Sequence, residues 1–589
     1  MNICTRMARA RLIGVLSFLL VLGFKLKAQT DSLMVFTYKV LINAESGKIK
    51  KHFDQRTFKA ENWIDALESL QQDLFSSGYL TPAIEFDTID DHIDVNVTPS
   101  IQYKWMNLQI DEKDFSILRR SGVNVNRFRG NVVSLSQFNS LRKKPVRYLE
   151  NNGFPFAKLM LDSVEIINGA LSAKLTIDNG PLVKIDSVVI NGNLQIRKSY
   201  ITNYIGIKEG SLYNESAIKA IPSKLADISF LTESQSAKVF FNKDETKVLL
   251  FLKERKASRF DGIIGFLPDP NTGGIVVTGD AKVHLENALK QGEEIDLNWR
   301  RLQSNTQELN AGVVSPFVFN SPISIDVLGG FYRRDTTFTD LDAEIGLRYV
   351  VSQNNYLRAF ISRKSTSLIS TLQYENSILP PEYLDRKITN YGLGLRFSKL
   401  DYKLNPANGY VLLSSVSAGD RQVVKNSRLP EIIYENLTLN SIQFNARVDA
   451  SYYLTYIKRV VWHQQLKASS VSNNQLFNND AERIGGLNTL RGFNEQSIFA
   501  TTYALLRNEL RYQFERDGYA FLFFDGAWYE NQSIDPLGAT RDTPFGFGAG
   551  FTFGTKAGIF SISYALGKEL GNPILLASNK IHFGFVSVF

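Results

Sequence analysis

Apolar and polar residues alternate along the C-terminal half of this 589-residue chain. The longest alternating stretch covers residues 441–454, where every second side chain is apolar and the others are polar or charged. A period of two is typical of a β-strand with one apolar face. Strands of soluble sandwiches usually have about 5 or 6 residues, whereas a tilted strand needs about 9 to 11 to cross a bilayer. The pattern therefore predicts an all-β transmembrane barrel at residues 258–589.

The number of strands follows from the same pattern and from the physics of the membrane. The alternating segments number 16 or 17, depending on whether residues 367–373 form a separate strand. Because a sheet edge cannot stay unpaired in lipid, the sheet has to close on itself. Bacterial barrels made of one chain have an even number of strands, so we leave residues 367–373 out and predict about 16 antiparallel strands.

The N-terminal half has a different pattern, in which helical and strand signals alternate. Junctions at which a helix ends and a pair of strands begins recur at Gly78-Tyr79, Gly153-Phe154 and Ser229-Phe230. Their spacings of 75 and 76 residues indicate three copies of one unit. Generic α/β spacers would give a similar repeat. We predict three small α+β modules at residues 30–98, 99–181 and 182–256.

Local patterns inside the copies give more detail. In the first copy, apolar residues between positions 63 and 74 share one helical face. Residues 83–89 and 92–97 then predict a hairpin, and residues 247–252 predict the strand that closes the third copy.

Residues 1–28 differ from the rest of the chain. They hold five positive and no acidic residues around an apolar run at 12–24, which is typical of a secretory signal peptide. A membrane anchor is the alternative, but the run is shorter than the roughly 20 residues that a spanning helix needs. Cleavage would lower the formal net charge from +8 to +3, which gives no reason to expect nucleic acid as a partner. The only cysteine, Cys4, would be removed too, so the mature chain could form no disulfide.

Motifs of enzymes are missing from the sequence. It contains no His-Glu-x-x-His, no phosphate-binding loop and no Gly-x-Ser-x-Gly. Five histidines are scattered without the spacing of metal ligands: His52, His92, His284, His463 and His582. We predict no catalytic residues, no metal ion and no bound cofactor.

One short segment interrupts the alternating strands and carries the most specific signal. It begins with Gly485-Gly486 and contains the triplet Arg491-Gly492-Phe493. Five strand signals follow it, beginning near Thr501, Gly518, Phe545, Ala557 and Lys580. A cation held inside a barrel needs carboxylate partners on the inner wall. Glu509 and Asp525 are the candidates.

The repeated units resemble the periplasmic POTRA modules of the BamA/TamA-like superfamily of outer-membrane assembly factors. The third copy carries this resemblance through its opening Ile190-Asn191-Gly192-Asn193, and the second through residues 152–157. The resemblance implies an outer-membrane location, with the N-terminal modules in the periplasm. It covers residues 30–589.

The Arg-Gly-Phe triplet resembles the signature of the loop that folds back into the barrel in this superfamily. The resemblance implies that Arg491 contacts acidic and aromatic groups on the inner wall, that Gly492 allows a tight backbone, and that Phe493 packs beside it. Asp525 follows Phe523 and Phe524, as in the Phe-x-Asp motif of the superfamily.

The two ends of the barrel sequence predict a seam. Residues 259–266 form a short first strand with Gly262 and Gly265, and few ladder bonds can hold it to the last strand. The last strand, which includes Phe585 and Phe589, resembles the terminal signal of outer-membrane barrels. An opened seam would offer unpaired strand edges to an incoming strand. We predict that client barrels enter at this seam.

These patterns together predict a factor that captures unfolded clients and inserts them into the outer membrane. Its expected partners are unfolded outer-membrane or secreted proteins and outer-membrane lipids, and periplasmic or lipoprotein partners are compatible with this role. Two other functions stay open. One is a two-partner secretion transporter that passes an exoprotein through the lumen. The other is a diffusion porin, which the periplasmic modules argue against.

Overall fold

The chain forms two compact units, Met1–Leu182 and Val183–Phe589. The predicted signal peptide at 1–28 and the predicted seam residue Phe589 lie outside the residues that the structure describes. The computed structural model describes residues 37–44, 57–59, 63–89, 92–98, 101–268, 275–303, 306–352, 355–403, 405–533, 539–555, 558–568, 574 and 579–588.

The first unit contains two small mixed sheets with helices. Its elements are β1 (Thr37–Ala44), β2 (Thr57–Lys59), α1 (Trp63–Ser76), β3 (Ala83–Ile89), β4 (His92–Thr98), β5 (Lys104–Ile110), α2 (Glu112–Arg120), α3 (Leu135–Glu150), β6 (Lys158–Ile167) and β7 (Ala170–Asp178). The strand orders are β2-β1-β4-β3 and β5-β7-β6. β1 pairs in parallel with β4, and β5 with β7. The predicted hairpin of residues 83–89 and 92–97 is confirmed, since β3 and β4 pair antiparallel.

The second unit begins with a third module of the same kind. Its elements are β8 (Ser187–Asn191), α4 (Lys198–Ile205), α5 (Glu215–Lys219), α6 (Ile221–Ala226), β9 (Leu231–Phe241) and β10 (Thr246–Glu254). The sheet order is β8-β10-β9, and the predicted closing strand lies within β10. Apolar side chains of the sheet and helices, among them Val188, Ile201 and Leu250, form its buried core. Gly192 has a φ of +124°, and a Cβ there would overlap the carbonyl oxygen of Leu252, which explains the glycine in the opening motif.

A closed antiparallel barrel follows the third module. Its wall strands are β11 (Arg259–Pro268), β12 (Ile275–Glu286), β13 (Glu294–Gln303), β14 (Thr306–Ser315), β15 (Ile323–Arg334), β16 (Phe338–Ser352), β17 (Asn355–Leu368), β18 (Arg386–Leu400), β19 (Gly409–Val423), β20 (Asn440–Ile457), β21 (Val460–Ser472), β24 (Thr502–Glu515), β25 (Gly518–Asn531), β27 (Phe545–Gly554), β28 (Ile559–Lys568) and β29 (Lys580–Val588). Three short strands, which are not full wall strands, are β22 (Glu482–Ile484), β23 (Ile498–Ala500) and β26 (Thr540–Asp542).

The strand count and the strand lengths agree with the sequence. The prediction of about 16 antiparallel strands is confirmed, since the described residues form sixteen full wall strands and β26 only extends the edge of β25. Ser367 lies at the end of β17 and starts no strand of its own. β20 has 18 residues and β16 has 15, which suits strands that cross a bilayer.

Side chains alternate between the outside and the inside of the wall. Leu341, Ile345 and Leu347 of β16 are 59%, 53% and 54% exposed, and they point outward, where lipid would cover them. On the inside, Asp326 accepts hydrogen bonds from the Nε atoms of Arg348 (2.7 Å) and Arg358 (3.1 Å). The inner wall is therefore lined by paired charges. Among the described residues, helices that combine the length and apolar character of a membrane span are absent.

Candidate functional site

The connection between β21 and β24, residues 473–501, folds back against the inner wall. Within it, β22 and β23 pair as a small antiparallel sheet, so the residues between them leave this sheet as a closed loop. Gly485 and Gly486 have φ values of +115° and +97°, which favour glycine. The Gly485 N–H donates to Thr489 Oγ1 at 2.8 Å. We call residues 485–497 the lumen loop.

Arg491 of the lumen loop is enclosed by groups of the inner wall, and its residue is only 2% exposed. Its Nε and Nη2 donate to the two carboxylate oxygens of Asp525, at 2.7 and 2.6 Å. Its Nη1 donates to Glu509 Oε1 at 2.5 Å. The guanidinium carbon also lies 3.8 Å from the centre of the Phe523 ring. The two-pronged contact with Asp525 fixes both the position and the orientation of the guanidinium.

The strand register explains why two carboxylates meet one arginine. Glu509 lies on β24 and Asp525 on the neighbouring β25, where Arg507 is paired with Asp525 and Glu509 with Phe523. The two carboxylates are thus diagonal neighbours on one face of the sheet. Side chains alternate between the two faces of a strand, and Glu509 and Asp525 both contact the lumen loop, so they lie on the inner face of the wall. Asp525 is fully buried there.

Three further side chains join this cluster, and the sequence did not reveal them. Arg511 donates from Nε to Glu509 Oε2 at 2.8 Å, and its Nη2 lies 2.9 Å from His463 Nδ1. Arg507 Nε lies 3.8 Å from Asp525 Oδ2. Three guanidinium groups therefore share two carboxylates in a buried site. A usable signal existed, because Arg507 and Arg511 stand two residues before and after Glu509 and so face the same side of β24.

Glycines let the lumen loop approach the wall closely. Gly492 has a φ of +94°, and a Cβ there would lie 2.7 Å from the carbonyl oxygen of Leu566. Gly546 of β27 and Gly567 of β28 are cross-strand partners facing the loop. A Cβ on Gly546 would overlap the carbonyl oxygen of Arg491, and one on Gly567 would lie 2.6 Å from that of Gly492. These two wall glycines form a groove for the loop backbone, which the sequence analysis also missed.

Phe493 turns away from the charges and into an apolar cluster. Its residue is 7% exposed, and the cluster joins the loop to the inner wall. The other buried members of this cluster are Ile484, Leu490, Ile498, Leu505 and Ala527.

The seam between the first and last strands is held by few bonds. β11 pairs with β29 at three positions only: Arg259 with Val588, Phe260 with Ser587 and Asp261 with Val586. By contrast, β11 pairs with β12 at ten positions, from Arg259 to Pro268. Gly262 and Gly265 belong to the part of β11 that pairs with β12 alone among the described residues. Phe585 pairs with Phe560 of β28, and the two ring centres are 4.6 Å apart.

Family models match two parts of the chain. The POTRA model, described as a surface antigen variable number repeat, matches residues 183–255, which is the third module. The model described as haemolysin secretion/activation protein ShlB/FhaC/HecB matches residues 394–553, which include the lumen loop and both carboxylates. The chain belongs to the BamA/TamA-like superfamily. It is an outer-membrane barrel with N-terminal POTRA modules in the periplasm.

Two solved structures of CdiB share the fold. CdiB from Escherichia coli is 14% identical, with a TM-score of 0.54 over 90% of this chain and 97% of that one. CdiB from Acinetobacter baumannii is also 14% identical, with a TM-score of 0.52 over the same shares. BamA from Haemophilus ducreyi lacking POTRA domains 1–3 is 16% identical over 83% of this chain and 100% of that one, with a TM-score of 0.46. No curated protein sequence matches the chain.

The superfamily assignment fixes the direction of the barrel. Because a POTRA module precedes β11, the start of this strand lies at the periplasmic end of the barrel. Strands alternate in direction, so β21 ends at the extracellular side. The lumen loop therefore enters the barrel from outside the cell, and five full wall strands follow it.

Three extracellular connections, residues 369–385, 424–439 and 473–481, pack together as a cap. Buried apolar side chains of these connections form one cluster with Val423, at the end of β19; they are Leu384, Leu429, Ile433, Tyr434 and Phe477. Beside it, the buried carboxylate of Asp480 forms ion pairs with Arg386 and Arg421. Arg386 and Asp480 also line a cavity of about 840 Å³ within the barrel. The cap thus covers the extracellular side of this cavity.

Proposed function

We propose that this protein inserts β-barrel clients into the outer membrane at the seam between β11 and β29. The POTRA modules, which we place at residues 30–98, 99–181 and 182–256, would hold the unfolded client in the periplasm. The observation that carries the proposal is that β11 and β29 pair at only three positions, whereas β11 pairs with β12 at ten and β29 with β28 at seven. No other junction between full wall strands among the described residues has so few pairs.

The physical driving force lies in the client. Each unpaired backbone group in lipid costs several kcal/mol, so an opened seam favours a strand that pairs with its edges. Residues 262–268 of β11 offer such an edge, since β29 does not pair with them. A client strand that adds there gains main-chain hydrogen bonds, and its apolar side chains move into lipid. This chemistry needs no nucleotide.

The lumen loop has a positioning role in this proposal. It bridges β24 and β25 through Arg491, and it touches β27 and β28 through the groove of Gly546 and Gly567. The Gly492 N–H also lies 3.4 Å from His582 Nε2 on β29. The docked loop would therefore hold the last strands of the barrel in a defined arrangement beside the seam.

A two-partner secretion transporter is the second candidate. It is supported by the match to the haemolysin secretion/activation model and by the similarity in fold to CdiB. An exoprotein that crossed the lumen would meet both the lumen loop and the cap. Insertion at the seam would leave the cap in place, and for this reason we favour the assembly function.

Depletion of the protein followed by proteomics of the outer membrane distinguishes the two functions. If the protein is an assembly factor, many unrelated barrel proteins are lost from the membrane together. Loss of one secreted protein, with normal levels of the barrels, would instead identify a dedicated transporter and overturn the proposal. A strain that carries the gene on a plasmid serves as the control, since it must restore the wild-type profile.

A further inference from the structure

The third module contacts the first periplasmic turn of the barrel, residues 287–293. The Arg197 N–H of the module donates to the carbonyl oxygen of Lys290 at 2.9 Å. In return, Asn287 Nδ2 donates to the carbonyl oxygen of Gln195 at 3.1 Å. One is a main-chain hydrogen bond and the other joins a side-chain amide to a main-chain carbonyl, an arrangement that a loosely tethered module would not make.

The second periplasmic turn, residues 316–322, inserts an aromatic ring into the module. The Phe317 ring centre lies 5.5 Å from that of Tyr200 and 6.2 Å from that of Tyr204, with edge-on geometry to both. Phe317 has φ and ψ values of 51° and 45°, a conformation that costs a non-glycine residue free energy. The contact of Phe317 with Tyr200 and Tyr204 of the module thus compensates for this strain in the turn. Burial of Tyr200 also raises the pKa of its hydroxyl group.

The module also holds the start of the first barrel strand. Ala257, two residues before β11, is buried in the core of the module. The Arg255 guanidinium donates to the carbonyl oxygens of Ser229 (2.5 Å) and Ile228 (3.0 Å). Ser229 of the module also hydrogen-bonds to Glu286, the last residue of β12. Both strands on the N-terminal side of the seam are therefore tied to the module at their periplasmic ends.

The other side of the seam is held differently. β29 pairs with β28 at seven positions and with β11 at three. His582 of β29 also contacts the lumen loop. The seam therefore separates strands anchored to the third module from strands anchored to the lumen loop.

We propose that the third module braces the N-terminal side of the seam. Phe317 is the positioning residue of this brace. The seam opens by displacement of β29 while β11 stays with the module. This inference rests on the proposed function, because it concerns how the seam opens for a client. In this inference the periplasmic turns anchor the third module, a role beyond connecting the strands of the barrel wall.

Two disulfide locks test which side moves. The first joins Arg197→Cys to Lys290→Cys, two positions that a main-chain hydrogen bond links. The second joins Phe260→Cys to Ser587→Cys, which are register partners across the seam. Both are made in a chain without Cys4. We expect oxidised brace-locked protein to assemble clients at the wild-type rate and oxidised seam-locked protein to lose assembly until it is reduced.

The possible failures of these two inferences are distinguishable. If the brace lock stops client assembly as the seam lock does, the brace is overturned and insertion at the seam survives. If the seam lock leaves client assembly normal, insertion at the seam itself fails. Each single-cysteine variant, treated with the same oxidant, controls for damage by oxidation.

A matched pair of substitutions on one turn tests the role of Phe317. Spin labels at Ser236→Cys on the module and Lys458→Cys on a periplasmic turn report their separation by pulsed electron paramagnetic resonance. We expect Phe317→Ala to replace one narrow distance peak by a broad distribution. Phe319→Ala on the same turn, where the ring is 95% exposed, should leave the narrow peak unchanged. A narrow peak in Phe317→Ala, with heat-modifiable gel mobility retained in both variants, would overturn the brace.

Discussion

Replacing Asp525 by alanine is the sharpest perturbation of the lumen loop. In the wild-type protein, Arg491, Arg507 and Arg511 share the carboxylates of Glu509 and Asp525. Asp525→Ala leaves three buried guanidinium groups with one carboxylate. Arg491→Ala leaves two guanidinium groups with two carboxylates, and Arg511 still lies 2.6 Å from Glu509. We therefore expect Asp525→Ala to release the loop more strongly than Arg491→Ala.

The size of the effect follows from the loss of a buried ion pair. Removing one partner of such a pair typically costs about 3–5 kcal/mol, because the other charge stays buried without compensation. Since about 1.4 kcal/mol changes an equilibrium constant tenfold, the undocked fraction of the loop should rise roughly 10²- to 10⁴-fold. The double variant with Arg491→Ala should undock less than the two single effects predict together, because it removes the uncompensated charge as well.

Thiol labelling measures this undocked fraction. Leu490 of the lumen loop is fully buried, so a cysteine at this position reacts with a maleimide only when the loop leaves the wall. In a chain without Cys4, labelling of Leu490→Cys should be faster by the factor given above when Asp525→Ala is added. Glu431→Ala, which removes the carboxylate of an exposed ion pair with Lys425, should not change the labelling rate. Equal labelling rates with and without Asp525→Ala, or strictly additive effects in the double variant, would refute the reasoning.

Other substitutions test separate parts of the account. Gly546→Ala should displace the lumen loop and speed the same labelling reaction. Gly329→Ala, where a Cβ would make only an ordinary contact of 4.0 Å with the Asp342 carbonyl oxygen, should not; equal rates would rule out the glycine groove. Asp480→Ala leaves Arg386 and Arg421 buried without their carboxylate, so it should open the cap and raise single-channel conductance in planar bilayers. Unchanged conductance would show that the cap does not depend on this ion cluster. Gly192→Ala should destabilise the third module, seen as faster proteolysis of the module in the intact protein, and unaltered proteolysis would contradict the steric argument.

Much of the fold could be predicted because crossing a membrane requires long alternating strands and a closed sheet. The period of two over residues 441–454 marks a strand too long for a soluble sandwich, and β20 covers this stretch. Closure in lipid and an even strand number then gave about 16 strands. The opening Ile190-Asn191-Gly192-Asn193 resembles that of a POTRA module, and the family match covers the same residues.

The candidate site could be predicted only in part. The sequence offers Glu509 and Asp525 as carboxylate partners for Arg491 on the inner wall, and the structure brings both to Arg491. The spacing of Arg507 and Arg511 about Glu509 could have revealed these two side chains, whereas the position of His463 beside Glu509 depends on how β21 and β24 pair, which a single sequence does not state. The structural roles assigned to these residues in the function of the protein are our proposals.

Contacts between distant segments were beyond the reach of sequence patterns. The groove for the loop backbone depends on the pairing of Gly546 with Gly567 across two strands, and glycines that alternate along a strand are ordinary in a barrel. The cap joins Arg386 to Asn479, which are far apart in the chain. Phe317 lies in a turn between two prolines, where an aromatic residue gives no sign that it contacts the preceding module.

Client entry through the seam is tested most directly by folding a client barrel in liposomes that contain the purified protein with Phe260→Cys and Ser587→Cys. Heat-modifiable mobility on gels reports the folded fraction of the client with time. We expect the oxidised protein to fold the client no faster than empty liposomes do, and the same sample to regain the wild-type rate when it is reduced. Oxidised protein that folds the client as fast as the reduced protein would contradict insertion at the seam.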